Sequence, residues 1–223
     1  MTPRQAMLRG AFALGVFSLV TAGSVALTRA VTAERIADHQ LAYQHRQLQD
    51  VLPAALADVA VQTVLDGVFK LPNPEQLGHR EPQQGWYVQR DHQRVVILPV
   101  VTRQGYNGEI RLLVGIDQQQ RITGVRVTHH QETPGLGDDI ERQRSDWISE
   151  FNGLSLNSLP PGGWAVRKDG GHFDAFTGAT ITPRAVVNAV HSALSYAAEH
   201  ATEHVAENAT ETELPITFEE SSQ

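Results

Sequence analysis

The 223-residue chain contains no cysteine. That absence excludes disulfides, thiolate-held iron–sulfur clusters, c-type haem attachment and a cysteine nucleophile. An excess of positive charge is missing too. Lys and Arg number 18 against 25 Asp and Glu, for a net charge of −7. Nucleic acid is therefore a poor partner, because neutralising phosphates needs a basic face. No G-x-S-x-G elbow, P-loop or G-x-G-x-x-G fingerprint occurs. This argues against an elbow-type serine hydrolase, a P-loop nucleotidase and a Rossmann dinucleotide site.

The charge that is present is unevenly spread. Seven glutamates and no Lys or Arg lie between Glu199 and Glu220, which leaves a nearly neutral body. Residues 199–223 are expected to be an acidic, solvated and disordered tail. Ten histidines raise the possibility of a metal site. His129 and His130 are adjacent, so on a strand they point to opposite faces. His200 and His204 have helical spacing but no third ligand. Surface histidines and no metal are the expectation.

The N-terminus holds the one long apolar run. Gly10 to Thr28 carries no charge over nineteen residues. As a helix it spans about 28 Å, close to the hydrocarbon thickness of a bilayer. It exceeds the ~7–15 residues of a signal-peptide apolar region, and no clean A-x-A site follows. An uncleaved anchor at 10–29 is expected, with a cleaved signal peptide as the alternative. Arg4 and Arg9 precede the run and Arg29 and Arg35 follow it, a weak lean toward a cytoplasmic segment 1–9.

Beyond the anchor, residues 30–53 read as a helical stalk. Leu56, Val59, Val64, Leu65 and Val68 recur at helical spacing, so a helix is predicted over 54–69. The proline-rich stretch 71–85 must be loop. β-branched and aromatic runs predict strands at 85–91 and 94–101. Ile110, Leu112, Val114 and Ile116, then Thr123, Val125 and Val127, alternate about a polar turn at 117–120. That is a hairpin with one buried face, hence an antiparallel sheet. Residues 144–154 return to helical spacing. Residues 164–173 read as a short strand ending in a Gly-Gly turn. Val186, Val187, Val190, Leu194 and Ala197 mark a helix from about Pro183 to His200, with Thr182 as its N-cap. The expected class is α+β: an N-terminal transmembrane helix and stalk, then one domain with an antiparallel sheet and packed helices.

The stretch D-A-F-T-G-A-T-I-T-P (174–183) sets three hydroxyls on a backbone stripped of bulk. It runs into a helix N-terminus, where unpaired N–H groups and a partial positive charge attract phosphate. From the residues alone, an anion site and a plain capped turn both remain open.

D-A-F-T-G-A-T matches the D-x-x-[ST]-G-A-T flavinylation motif of FMN-binding domains. G-Y-N-G-E-I-R-L-L-V-G-I-D, I-T-G-V-R-V-T-H-H-Q-E-T-P-G-L-G-D-D-I and K-D-G-G-H-F-D-A-F-T-G-A-T-I-T-P-R-A-V follow the family's order. Over residues 85–195 the chain resembles the G subunit of the Rnf (Rsx) ion-translocating oxidoreductase complex. That family shares its domain with the C subunit of the sodium-pumping NADH:quinone reductase. Pro183 departs from the small hydroxyl residue expected there. The resemblance implies an FMN-binding domain at 54–198 with FMN joined through a phosphoester to Thr180. It implies Thr177, Gly178 and Ala179 beside the phosphate, and Glu132, Thr133 and Leu136 against the flavin. Asp174 is implied to serve attachment by a separate flavin transferase. The implied role is an electron carrier, not a stand-alone enzyme. Its partners would be other membrane subunits and iron–sulfur subunits of a complex coupling electron transfer to ion translocation. The implied place is the bacterial inner membrane, with the flavin domain periplasmic. The alternatives are the quinone-reductase C subunit and a tethered scaffolding module without flavin.

Overall fold

The computed structural model describes residues 3–53, 56, 67–90 and 93–200. The chain divides into two units, Met1–Arg46 and Gln47–Gln223. Helix α1 (Pro3–Gln49) runs unbroken through the predicted anchor and most of the predicted stalk. Its segment Ala11–Ala33 is long and apolar enough to cross a membrane. Phe12, Leu14, Phe17, Leu19 and Leu27 all stand exposed. Four hydroxyls inside this segment, those of Thr21, Ser24, Thr28 and Thr32, are satisfied within the helix. Thr21 donates to Phe17 O at 2.7 Å, Thr28 to Ser24 O at 2.8 Å and Thr32 to Thr28 O at 2.8 Å. Back-bonding of this kind lets Ser and Thr sit in an apolar surrounding without an unpaired polar group.

The second unit is built on a five-stranded antiparallel meander in the order β1-β2-β3-β4-β5. Its strands are β1 (Val68–Lys70), β2 (Gln84–Arg90), β3 (Gln93–Gly105), β4 (Gly108–Asp117) and β5 (Ile122–His129). Helix α2 (Ile181–Glu199) lies on one face and buries Val186, Val187, Val190 and Leu194. It packs with Leu98, Val100, Leu112 and Val114 of the central strands. The fold class is therefore α+β, with the antiparallel sheet and C-terminal helix that the periodicity predicted.

Five expectations change. The sheet is buried on both faces, not one. Val95, Ile97 and Leu113 pack with Leu48, Val51, Leu52 and Leu56 on the far side. Two glycines make that approach possible: a Cβ at Gly115 or Gly124 would lie 2.6 Å from Val51 O or 2.9 Å from Val51 Cα. Thr123 donates its hydroxyl to Val51 O at 2.7 Å and fixes the contact. The helix predicted over 54–69 lies largely outside the described residues, but its end does not. Val68 and Phe69 pair with Trp86 and Gly85 as strand, since pairing with β2 satisfies their backbone.

The strand predicted over 164–173 is reduced to a single bridge between Val166 and Phe173. A 3-10 turn at Arg167–Asp169 and Gly170, at φ +88°, fold the segment back on itself. The helix predicted over 144–154 is a 3-10 helix of five residues, Trp147–Phe151. Its apolar side chains join an aromatic cluster: Phe151 stacks on Phe173 at 4.5 Å, and Trp147 meets Phe176 edge-on at 5.1 Å. The histidines also differ from expectation. His200 is buried against the Tyr196 ring at 4.3 Å, and His130 bonds Glu141 Oε1 at 2.6 Å. His204 lies outside the described residues.

Candidate functional site

The aromatic cluster carries the threonine-rich loop. Trp147 Nε1–H donates to Asp174 O at 3.0 Å, which fixes the loop where it leaves the cluster. The Asp174 side chain turns outward, 3.0 Å from Arg167 Nη1. Ala179 N–H then donates to Phe176 O at 3.1 Å and closes a four-residue turn. Gly178 holds the third place at φ +82°, where a type II turn demands a positive φ that residues with a Cβ resist. A Cβ added there would meet only Leu136 Cδ2, at 3.6 Å. Glycine is thus needed for its backbone, and the space beside it is free for a ligand.

Thr180 stands at the cap of α2 with helical angles, φ −73° and ψ −26°, and makes no side-chain cap bond. Its hydroxyl is left uncommitted by the helix. Thr182, expected as the cap, is inside the first turn and fully buried. Its hydroxyl donates to Glu132 Oε2 at 2.5 Å. The cap shifts because the chain is already helical at Thr180. Pro183 then falls in the first turn, where its missing N–H costs no intrahelical bond. Ile181 and Thr182 keep first-turn N–H groups that lack helical acceptors. Arg184 pins the same turn from outside, donating from Nε and Nη2 to Asp169 at 2.6 and 2.9 Å. Those hydrogen bonds hold the Asp169 carboxyl below its ordinary range.

The second segment is the turn Thr133-Pro134-Gly135-Leu136. Leu136 N–H donates to Thr133 O at 3.1 Å, and Gly135 sits at φ +77°. Proline second and glycine third is the sequence that this turn selects. Asp138, buried, braces it by accepting from Gly135 N–H at 2.6 Å.

Both segments and the β3–β4 hairpin tip meet at a cavity of about 240 Å³. It is lined by Tyr106, Glu132, Thr133, Leu136, Gly137, Gly178, Ala179, Thr180, Ile181 and Thr182. Six residues named from the sequence, Glu132, Thr133, Leu136, Gly178, Ala179 and Thr180, thus come together. Thr177 is exposed at the turn corner and does not line the cavity. Sequence reasoning missed Tyr106 and Ile181. The available signal was an aromatic between glycines at a hairpin tip and an apolar residue opening a helix.

The rim is apolar and open. Tyr106 is 67% exposed and Leu136 and Ile181 are each 44% exposed. Among the described residues of the second unit, Val68 is the one other large hydrophobic so exposed. Clustering of three such residues about one cavity is what a ligand-binding surface displays. The volume falls below the ~300 Å³ at which drug-sized pockets begin, so the site would take part of a large planar ligand and leave the rest against the rim. An uncommitted hydroxyl, free first-turn N–H groups and an apolar rim together fit a phosphate-bearing aromatic cofactor. No grouping of His, Cys, Asp or Glu suited to a metal occurs among the described residues.

Comparison with known proteins places this geometry in a family. Residues 105–195 match the model of the FMN-binding domain, and residues 1–51 match that of the RnfG N-terminal region. The G subunit of the ion-translocating oxidoreductase complex from Pseudomonas aeruginosa is 48% identical over 192 residues, covering 85% of this chain and 88% of that protein. The Vibrio cholerae protein of the same name is 44% identical over 189 residues, covering 84% and 88%. Among solved structures, the C subunit of the Na(+)-translocating NADH-quinone reductase from Parabacteroides distasonis aligns with a TM-score of 0.50 at 19% identity. That alignment covers 71% of this chain and 91% of that one, and it speaks to the fold. By its identity to these relatives over most of both lengths, the chain belongs to the family of G subunits of ion-translocating oxidoreductase complexes.

Proposed function

We propose that this chain is an electron-transfer subunit of an ion-translocating oxidoreductase complex and carries FMN esterified through its phosphate to the Thr180 hydroxyl. The observation that carries the reading is Thr180 itself. It lies at the mouth of the cavity, at the positive end of α2, with no cap bond to occupy its oxygen. A phosphodiester retains one negative charge there, and the Ile181 and Thr182 N–H groups offset it. Bound FMN supplies reversible redox chemistry at its ring, which the protein orients. Leu136, Ile181 and Tyr106 offer the apolar contacts for that ring, with Thr133 beside them. Thr177, one position before the left-handed glycine, sets the turn and is within the phosphate's neighbourhood by sequence. The open rim leaves the ring within reach of a donor or acceptor protein.

In this reading residues 1–9 are cytoplasmic, 10–29 anchor the chain, 30–53 form the stalk, 54–198 the flavin domain and 199–223 the acidic tail. The flavin domain is periplasmic and the partners are further membrane and iron–sulfur subunits. A flavin transferase cleaves the FAD pyrophosphate, joining the FMN phosphorus to the Thr180 oxygen and releasing AMP, with Asp174 serving that step. The far higher identity to G subunits than to the quinone-reductase C subunit favours the former.

The test is coexpression with a flavin transferase followed by denaturing precipitation. Wild-type protein should stay yellow, and its tryptic peptide spanning Thr180 should gain the mass of an esterified FMN. Thr180→Val should be colourless and unmodified. Colourless wild-type protein would instead make the chain a flavin-free scaffold.

A further inference from the structure

The cavity has three walls from distant parts of the sequence, and one residue ties all three. Glu132 is 5% exposed. Its Oε1 accepts from Asn107 N–H at 3.1 Å, at the hairpin tip that presents Tyr106. Its Oε2 accepts from the Thr182 hydroxyl at 2.5 Å, in the helical turn that presents Thr180 and Ile181. Its own backbone opens the Pro-Gly turn that presents Thr133 and Leu136. Asn107 adds a second tie, donating from Nδ2 to Thr133 Oγ1 at 3.1 Å. Behind the carboxylate, Glu132 N–H donates to His130 Nδ1 at 3.1 Å, and His130 Nε2 in turn bonds Glu141 at 2.6 Å.

The surroundings are built to admit this carboxylate. A Cβ at Gly137 would lie 2.9 Å from both Glu132 Oε2 and Thr182 Oγ1, and one at Gly105 would lie 2.8 Å from Oε1. Contacts that short require a shift, so glycine on either side keeps the place open. Burying a carboxylate is costly unless donors satisfy it, and here each oxygen has one from a different wall. Each oxygen carries a donor from the protein, so the group acts on the walls.

We propose that Glu132 is a positioning residue: it locks the hairpin tip, the Pro-Gly turn and the first turn of α2 into the register in which Thr180 is presented to the flavin. The proposal rests on the FMN reading above, and preorganisation by a second layer of hydrogen bonds is its physical basis.

The experiment has two parts and uses the full chain in detergent. In flavin-free protein, Glu132→Ala should speed hydrogen exchange at the Asn107 amide by at least about tenfold, in line with loss of a hydrogen bond to a buried charged group. During coexpression with the transferase, the near-isosteric Thr182→Val should slow FMN attachment several-fold and weaken the visible circular dichroism of the bound flavin. Thr182→Ser, which keeps the hydroxyl, should restore both to near wild type. Thermal unfolding of each variant identifies any that fail to fold, and the Val/Ser contrast then decides the matter. Unchanged Asn107 exchange in Glu132→Ala would overturn the clasp, whatever the flavin does. Faster exchange alongside wild-type attachment and dichroism in Thr182→Val would overturn the positioning role. Wild-type protein that takes up no FMN would sink the flavin reading and the positioning role together, while the exchange result would still judge the hydrogen bonds.

Discussion

Two glycines in the loop that leads to α2 are required for different reasons, and a four-variant series separates them. Gly178 is held at φ +82°, and a Cβ there would meet nothing nearer than Leu136 Cδ2 at 3.6 Å. Gly178→Ala therefore costs the left-handed backbone alone, about 1–2 kcal/mol. For a domain of this size each kcal/mol moves Tm by about 2–4 °C, so a fall of about 2–8 °C is expected. Gly171 has no such angle. A Cβ there would lie 2.0 Å from Ala165 O and 2.2 Å from Ala165 C. Gly171→Ala must displace backbone, at about 1–3 kcal/mol or more. The discriminating pair is the asparagine substitutions, because Asn tolerates the left-handed region far better than Ala does. Gly178→Asn should recover part of the loss in calorimetric Tm, whereas Gly171→Asn should be no better than Gly171→Ala. If Gly178→Asn is as damaging as Gly178→Ala, or if Gly171→Asn recovers stability, the division between backbone strain and close approach is wrong.

Phe151→Ala should cost about 3–5 kcal/mol, since Phe151 is fully buried against Phe173. A lower urea midpoint at unchanged slope would show it. Burial, then the nearby Asp174 charge, push the Glu150 carboxyl above its ordinary value near 4.5. A raised folded value means the stabilising contribution is full below the unfolded pKa and fades as pH rises through the folded one. Glu150→Gln should thus gain on wild type as pH rises past the ordinary carboxylate range, modestly because the side chain is largely exposed, and Asp174→Asn should lower the Glu150 midpoint in an NMR titration. Because the chain has no cysteine, single cysteines report orientation cleanly. A membrane-impermeant maleimide applied to cells with a permeabilised outer membrane should label Gln119→Cys and not Gln5→Cys, and the reverse pattern would invert the proposed topology.

The features legible in the sequence are those written in local periods. An uncharged run from Gly10 to Thr28 declares a helix of membrane length, because hydropathy and rise per residue need no tertiary partner. Alternation at Ile110, Leu112, Val114 and Ile116 declares strand, and Val186, Val190 and Leu194 declare helix, because side-chain direction follows backbone period. Pro134-Gly135 and Gly178 announce their turns through the angles that proline and glycine adopt. What the tertiary structure alone decided is non-local. Val51 seated over Gly115 and Gly124 covers the second sheet face, although the helical spacing that starts at Leu52 does not say which surface it packs on. Thr182 reads as a cap and serves instead as a donor to Glu132, fifty positions away. Tyr106, Leu136 and Ile181 look like unrelated surface residues until the meander and α2 bring them to one rim. Periodicity fixes which way a side chain faces; only the packing of distant segments fixes what it faces.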